Sequence, residues 1–401
     1  MTLKDLPPSL GIASGSAPLL SVVMANFRGA AYLADAMNAV LAQSERRLEL
    51  IVVDDASDDD SVAIARRIGA DDRRVRVIAS AVNQGPAATR NLALDAARGD
   101  WIAIVDSDDL IHPQRLARLV VAAEAADAAI VADDLVHFGA LDDGQGRTLL
   151  QSLSLVAPME LRLDLYLRGN SGDPRLPGFG YLKPLIRRDV LGARRYDPAM
   201  RIGEDYDLIL RLLIDGARFL LLPDPLYAYR RHPGSISHRL SVDTVEAMLA
   251  AHEALPPLSD PAARRAAAAV GRQLRRTLRY ERLVADIKAR RWAGVLPRLA
   301  DPAMLRRLVD SMADRRRRRV MGGRNRAAGI TLQVQGELPP SMPAPGQPWD
   351  RPPAPIAARI AVRAPTHMGS GPGATEGAPD RMPAATPDWV SWLAGAVARQ
   401  G

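Results

Sequence analysis

Asp106, Asp108 and Asp109 follow directly on an apolar run at 101–105, and no other cluster in the chain is as well suited to chemistry. Carboxylates at i and i+2 leaving a strand can point the same way. Two or three hard oxygen ligands, with no histidine or cysteine among them, suit Mg2+ or Mn2+ shared with substrate phosphates. Such an ion neutralises a departing diphosphate. A D-x-D triplet has a plainer use as a solvated turn, or as the cap of a helix starting near Pro113, and alone it does not choose between them.

The same holds for the other candidates taken singly. Asp54-Asp55 closes a second apolar run at 50–53, where Asp and Ser naturally cap the next helix. Arg90, after the Gly85-Pro86 turn, reads as a surface arginine on a helix. Phe27, after a run at 20–24, reads as a core aromatic. Glu204, Asp205 and Asp207 would sit well against the positive end of a helix dipole. A dinucleotide site is excluded, because no G-x-G-x-x-G follows the first run.

The elements that must position these residues are regular. Apolar runs at 20–24, 50–53, 75–78 and 101–105 read as buried strands, and helical spacing follows each, at 32–42, 61–68, 86–97 and 113–123. Strand–helix alternation of this length implies an α/β fold with a parallel sheet flanked by helices. Unbroken apolar strands fit burial on both faces. In such sheets ligands bind beyond the carboxyl ends of the strands, which is where Phe27, Asp54, Asp55 and Asp106 stand. Residues 134–200 are less regular, with turns at 142–144, 173–174 and 176–178. A helix is expected at 204–213, and two short strands near 219–222 and 226–229. Residues 241–320 read as helical throughout.

Composition narrows the class. The 401 residues include no cysteine, so disulfide scaffolds and cysteine-based zinc sites are excluded. No apolar run approaches the roughly 20 residues of a membrane span, and residues 1–18 lack the pattern of a secretory signal and read as a flexible leader. A cytoplasmic protein is expected. The net charge of +7 is uneven: residues 261–330 carry +15, residues 331–401 are neutral, and residues 1–260 carry −8. An acidic front part with a basic appendix argues against nucleic acid as partner, and the appendix has only Tyr280 and Trp292 as aromatics to stack on bases. Residues 331–401 hold 13 of the 31 prolines and read as a disordered tail, closed by a short apolar piece at 389–397 suited to docking.

In sequence order, 21–27, LIVVDDAS at 50–57, NQGPAATRN at 83–91, WIAIVDSDD at 101–109, Gly203-Glu204-Asp205 and Tyr229-Arg230-Arg231-His232 resemble the family 2 glycosyltransferases of GT-A fold. The resemblance covers about residues 19–240, the expected catalytic domain, with 241–330 as a basic helical extension. It is similar in wording and length to bacterial enzymes of exopolysaccharide assembly, succinoglycan-type ones included. The resemblance implies that Phe27 stacks on uracil and that Asp55, with Asp54 beside it, contacts that base. It places Arg90 near base and diphosphate. Asp106 and Asp108, with Asp109 adjacent, would hold ribose and a metal–diphosphate, the metal being Mn2+ or Mg2+. Asp205 of the Glu204–Asp205 pair would be the general base, and Arg231 or His232 would reach the diphosphate or metal from a closing loop. The partners implied are a nucleotide-sugar donor and a glycan or lipid-linked glycan acceptor.

Two departures stand out. Ala25, Phe27 and Arg28 replace the family's Pro and Tyr-Asn, and Phe27 can stack but cannot donate a hydroxyl hydrogen bond. The Q-x-x-R-W motif of processive members is missing, since Arg291-Trp292 is preceded by Lys288. A single sugar per acceptor is therefore expected. The basic stretch 261–330 is expected either to be a solvated face or to lie on anionic lipid at the inner membrane face. Two rival functions remain at this stage: a sugar-nucleotide nucleotidyltransferase, for which 26–31 are poor in glycine and basic residues, and a non-catalytic membrane-surface adaptor.

Overall fold

The computed structural model describes residues 19–139, 147–232, 240–299, 301 and 304–309. The expected leader, the turn at 142–144, the tail and the apolar piece at 389–397 lie outside the described residues.

The four apolar runs are strands β1 (Leu20–Asn26), β2 (Leu48–Asp54), β3 (Val75–Ala79) and β4 (Trp101–Ile104). They pair in parallel in the order β3-β2-β1-β4. Every residue of β2 is buried, as an interior parallel strand covered on both faces requires. The intervening helices are α1 (Leu33–Leu41), α2 (Ser61–Asp71), α3 (Pro86–Ala96) and α4 (Arg115–Ala125). Pro86 opens α3, where a missing N–H costs nothing.

Beyond β4 the sheet becomes mixed. The order continues through β8 (Leu185–Arg187), β6 (Ile130–Phe138), β9 (Phe219–Arg230) and β5 (Leu110–Ile111), with β7 (Met159–Glu160) also on β9. β8 runs antiparallel to β4, with Ala103 opposite Leu185. β5 pairs antiparallel with β9, with Leu110 opposite Ala228 and Ile111 opposite Tyr227. These two pairings decide the site. The first sets the residues before β8 beside those after β4, and the second brings the end of β9 to the aspartates before β5.

Two expectations need correction. The strands foreseen at 219–222 and 226–229 are one, β9. Pro223 and Pro225 lack the N–H a ladder needs, but β6 absorbs the break with register shifts around Asp134 and pairing resumes. Nor is 241–320 helical throughout. α8 (Val242–Glu253) stops before Pro256-Pro257, α9 (Pro261–Lys288) restarts with Asp260 accepting from the N–H groups of Ala262 and Ala263, and α10 (Trp292–Leu299) follows Arg290, whose φ is +57°. Ala263, Ala266 and Val270 of α9 belong to the same core as β1, β2 and β6. α9 thus helps to close that core, whereas Val295 of α10 packs in a separate small cluster with Tyr280 and Leu283. α5 (Leu163–Gly169) and α7 (Glu204–Ile214) complete that core.

Arg115 lies fully buried beneath the sheet end. Its guanidinium donates to both oxygens of Asp133, at 2.7–3.0 Å, and stands 4.8 Å over the Tyr227 ring. Burial pushes the Asp133 carboxyl up, Arg115 notwithstanding. Arg115→Leu strands that carboxylate without its partner. Urea unfolding at pH 7 should show a loss of about 3–5 kcal/mol.

Candidate active site

Glycine places the first carboxylates. Gly203 has φ +86°, a backbone that turns the chain into α7 and sets Glu204 and Asp205 on its first turn. Gly85, at φ +88°, does the same before α3, which carries Arg90. The two helix starts face each other across the end of β4. Arg90 Nη1 donates to Glu204 Oε1 at 2.6 Å and Nη2 to Asp106 Oδ1 at 2.8 Å, with Asp205 Oδ1 3.8 Å from Nη1.

A second cation shares the cluster. Lys183 Nζ lies 2.7 Å from Asp106 Oδ2 and 2.9 Å from Asp205 Oδ2. It stands two residues before β8, so the antiparallel β4–β8 pairing puts it beside Asp106. Sequence reasoning missed it, because it lies in the irregular stretch with no motif around it. A signal was there: the chain has three lysines against fifty arginines. Arg90 and Lys183 are both buried.

The electrostatics follow from that burial. For Asp106, burial opposes the charged form, but Lys183 and Arg90 outweigh it and hold its carboxyl well below the usual range. Burial likewise opposes both cations, yet the facing carboxylates keep Lys183 and Arg90 charged far above their ordinary values. Glu204 is raised, by burial first and by the Asp205 charge next, with Arg90 only partly offsetting them.

The rest of the acidic triad is held by β9. Tyr227 Oη donates to Asp109 Oδ2 and the Arg230 N–H donates to Asp109 Oδ1, each at 2.7 Å, while Arg230 Nε donates to the Asp108 carbonyl at 2.6 Å. His232 Nε2 meets Asp108 Oδ2 at 2.9 Å, and its ring lies 4.8 Å from that of Tyr32. Tyr227 lies outside every motif, and Arg230 lies inside the Tyr229–His232 motif but had no role assigned to it. Asp109 is buried among like charges. Burial, then Asp108 and Asp106, push its carboxyl well above normal. One oxygen of each of the three aspartates lies within 4.8 Å of the others. Hard donors so crowded suit a divalent cation, which would relieve the repulsion that raises Asp109.

The structure thus brings Arg90, Asp106, Glu204 and Asp205 together with Lys183, and joins Asp108 to His232. Asp54 and Asp55 stand at the end of β2 and accept hydrogen bonds from the loops around them. Asp54 Oδ1 accepts from Asn26 Nδ2 and Ser57 Oγ, and its Oδ2 from the Ser57 N–H. Asp55 accepts from the N–H groups of Gln84 and Gly85, both at 2.8 Å. They fix the loops around the cleft. Phe27 is 41% exposed, with Arg28 5.1 Å over its ring, so one face of an aromatic is presented at the end of β1. The Arg231 N–H donates to the Phe138 carbonyl, and no described contact joins its side chain to the aspartates.

Carboxylates and fixed cations gathered at the carboxyl end of a parallel half-sheet, with a mixed half beside it, define a glycosyltransferase of GT-A fold. The profile of glycosyl transferase family 2 matches residues 21–192. The succinoglycan biosynthesis protein ExoO of Rhizobium meliloti is 37% identical over 306 residues, covering 75% of this chain and 87% of ExoO. ExoU of the same organism is 35% identical over 215 residues, covering 52% and 61%. Among solved structures, S. aureus TarS 1–349 in complex with UDP-GlcNAc shares the fold at 18% identity and a TM-score of 0.55, covering 70% of this chain and 80% of that one. The chain belongs to glycosyl transferase family 2 and is a glycosyltransferase, which sets aside the nucleotidyltransferase and adaptor readings.

The lowered Asp106 carboxyl gives a pH test. Its folded-state value lies below its unfolded one, so its stabilisation is complete above the unfolded value and is lost as the pH falls toward the folded one. The stability gap between the wild type and Asp106→Asn, from urea unfolding, should stay constant above pH 5 and narrow below about pH 4.

Proposed function

We propose that this protein is an inverting, metal-dependent glycosyltransferase that moves one hexose from a nucleotide diphosphate sugar, UDP-linked, to a hydroxyl of a glycan or lipid-linked glycan. The observation that carries the reading is the meeting of Asp106, after β4, with Asp205, at the start of α7, across the Lys183 and Arg90 cations. A donor-binding carboxylate and a candidate base share one cleft. The relatives named for succinoglycan biosynthesis support a role in surface or exopolysaccharide synthesis.

An inverting transfer is one displacement. The acceptor oxygen bonds to the anomeric carbon while its proton passes to Asp205. The bond from that carbon to the diphosphate oxygen breaks, and the electron pair leaves with the diphosphate. An α-linked donor therefore gives a β-linked product. Asp205 suits the base role because it is less buried than Glu204, which Arg90 occupies at 2.6 Å. Phe27 offers its exposed face to the uracil, and Asp55, with Asp54 beside it, is assigned to contact that base while it holds the Gln84–Gly85 loop. Asp108 with His232, and with Asp106 and Asp109 adjacent, would hold Mn2+ or Mg2+. When bound, the ion supplies charge neutralisation at the leaving diphosphate. Arg231 is assigned to the diphosphate from the loop that follows β9.

Asp205→Asn should leave donor binding intact, read as a thermal shift with UDP-sugars, and cut transfer by about a thousandfold. Retained transfer would move the base elsewhere. Asp108→Ala should remove the Mn2+-dependent part of donor binding. NMR of the product should show a β-linkage from an α-donor, and a retained configuration would overturn the inverting step.

The exposed arginines of α9, Arg265, Arg272, Arg276 and Arg279, are followed by Lys288 at its end and by Arg290 and Arg291 beyond it, next to Trp292, which is 59% exposed. Cationic side chains around an exposed indole support peripheral contact with an anionic membrane at its cytoplasmic face. Among the described residues no helix is long and apolar enough to cross a membrane. Flotation with phosphatidylglycerol-containing liposomes should show binding at low salt that is lost at high salt and weakened by Trp292→Ala. No binding at low salt would remove the contact.

A further inference from the structure

We propose that Lys183 is a positioning residue for transfer, fixing one oxygen of Asp205 against the donor carboxylate Asp106 and leaving the other to take the acceptor's proton. The inference deepens the transferase reading and rests on it. Lys183 Nζ holds Asp205 Oδ2 at 2.9 Å while also holding Asp106 Oδ2 at 2.7 Å. Asp205 Oδ1 lies 3.8 Å from Arg90 Nη1, beyond hydrogen-bond length. That oxygen keeps its lone pairs for an incoming hydroxyl. Arg90 cannot replace the lysine, since its two terminal nitrogens are committed to Glu204 and Asp106.

Lys183 is built to stay in place. It is 7% exposed, and its carbonyl accepts from Arg115 Nη2 at 2.5 Å, the guanidinium being locked on buried Asp133. β8 begins two residues later and pairs with β4, which ends just before Asp106. The ammonium is thus fixed from the same strands that carry the donor carboxylate. Without it, Asp106 and Asp205 repel across the cleft and the base turns away from the reacting carbon. A displacement of about 1 Å at such a position costs on the order of a hundredfold in rate.

Loss of a buried cation lowers stability on either reading, but a merely structural lysine would differ in that refilling its space restores transfer with or without a charge. The chain has no cysteine, so Lys183→Cys places one thiol in the whole protein. Its thiolate displaces bromide from 2-bromoethylamine, forming a carbon–sulfur bond and rebuilding a lysine-like ammonium. Bromoethane gives a neutral adduct by the same step. Lys183→Cys is expected to lower kcat by about a hundredfold with donor KM little changed. The ammonium adduct should restore at least about a tenth of wild-type kcat, and the neutral adduct none of it. Lys183→Met, which keeps the stem without the charge, gives the same comparison of kcat with KM should the cysteine variant fail to fold. Wild-type kcat in either variant, a loss confined to donor KM, or equal recovery by both adducts would overturn the proposal. Failure of the transferase reading itself shows separately, as absence of transfer by the unaltered protein.

Discussion

Three carboxylates from two distant parts of the chain share one cleft only because two buried cations stand among them. Asp106, Glu204 and Asp205 would repel one another at these distances, and a low-dielectric surrounding would magnify the repulsion. Arg90 and Lys183 reverse its sign, with five contacts between 2.6 and 3.8 Å. The arrangement is a network in which every charge except Glu204, paired with Arg90, contacts more than one partner, and removing one member leaves the others exposed to unpaired burial. Arg is suited to the position that must reach two carboxylates at once, and Lys to the one where a compact ammonium fits between two oxygens.

The rest of the fold serves to hold that network still. Arg115 and Asp133 form a second buried pair beneath it. From there the guanidinium supports the Lys183 carbonyl and lies over Tyr227, whose hydroxyl in turn donates to Asp109. Arg230 is clasped between the Tyr32 and Phe138 rings, each 4.6 Å from its guanidinium carbon, and ties β9 to Asp108 and Asp109. The site is therefore assembled where the parallel half of the sheet meets its mixed half. The parallel strands deliver Phe27, Asp55 and Asp106. The antiparallel partners deliver Lys183, Tyr227 and Arg230, which neutralise and orient them.

That division explains what could be read from residues alone. The parallel half was legible because each strand is a continuous apolar run and each helix a 3.6-residue pattern, with the polar residues falling just past the strand ends. The ordered motifs then resembled one family, and the cluster of Arg90, Asp106, Glu204 and Asp205 is where they pointed. The mixed half was legible only in part, as α7 and the two pieces of β9. β8 has three residues, β5 and β7 have two each, and strands so short carry no period. Lys183 depends on the β4–β8 register, a non-local fact, and β9 hides behind two prolines whose cost is met by its neighbour β6.

Carboxylates at strand ends also do more than one job, which residue type cannot reveal. Asp54 and Asp55 look as reactive in sequence as Asp106 and Asp108, yet their oxygens are filled by N–H groups, a side-chain amide and a hydroxyl close at hand. A carboxylate so satisfied organises a loop. One facing fixed cations across a cleft, as Asp106 and Asp205 do, is held by buried counter-charges instead. The difference lies in whether an amide or a cation reaches the oxygen. For Asp54 and Asp55 that is settled by how β1, β2 and the start of α3 come together, and for Asp106 and Asp205 by how β4, β8 and the start of α7 do.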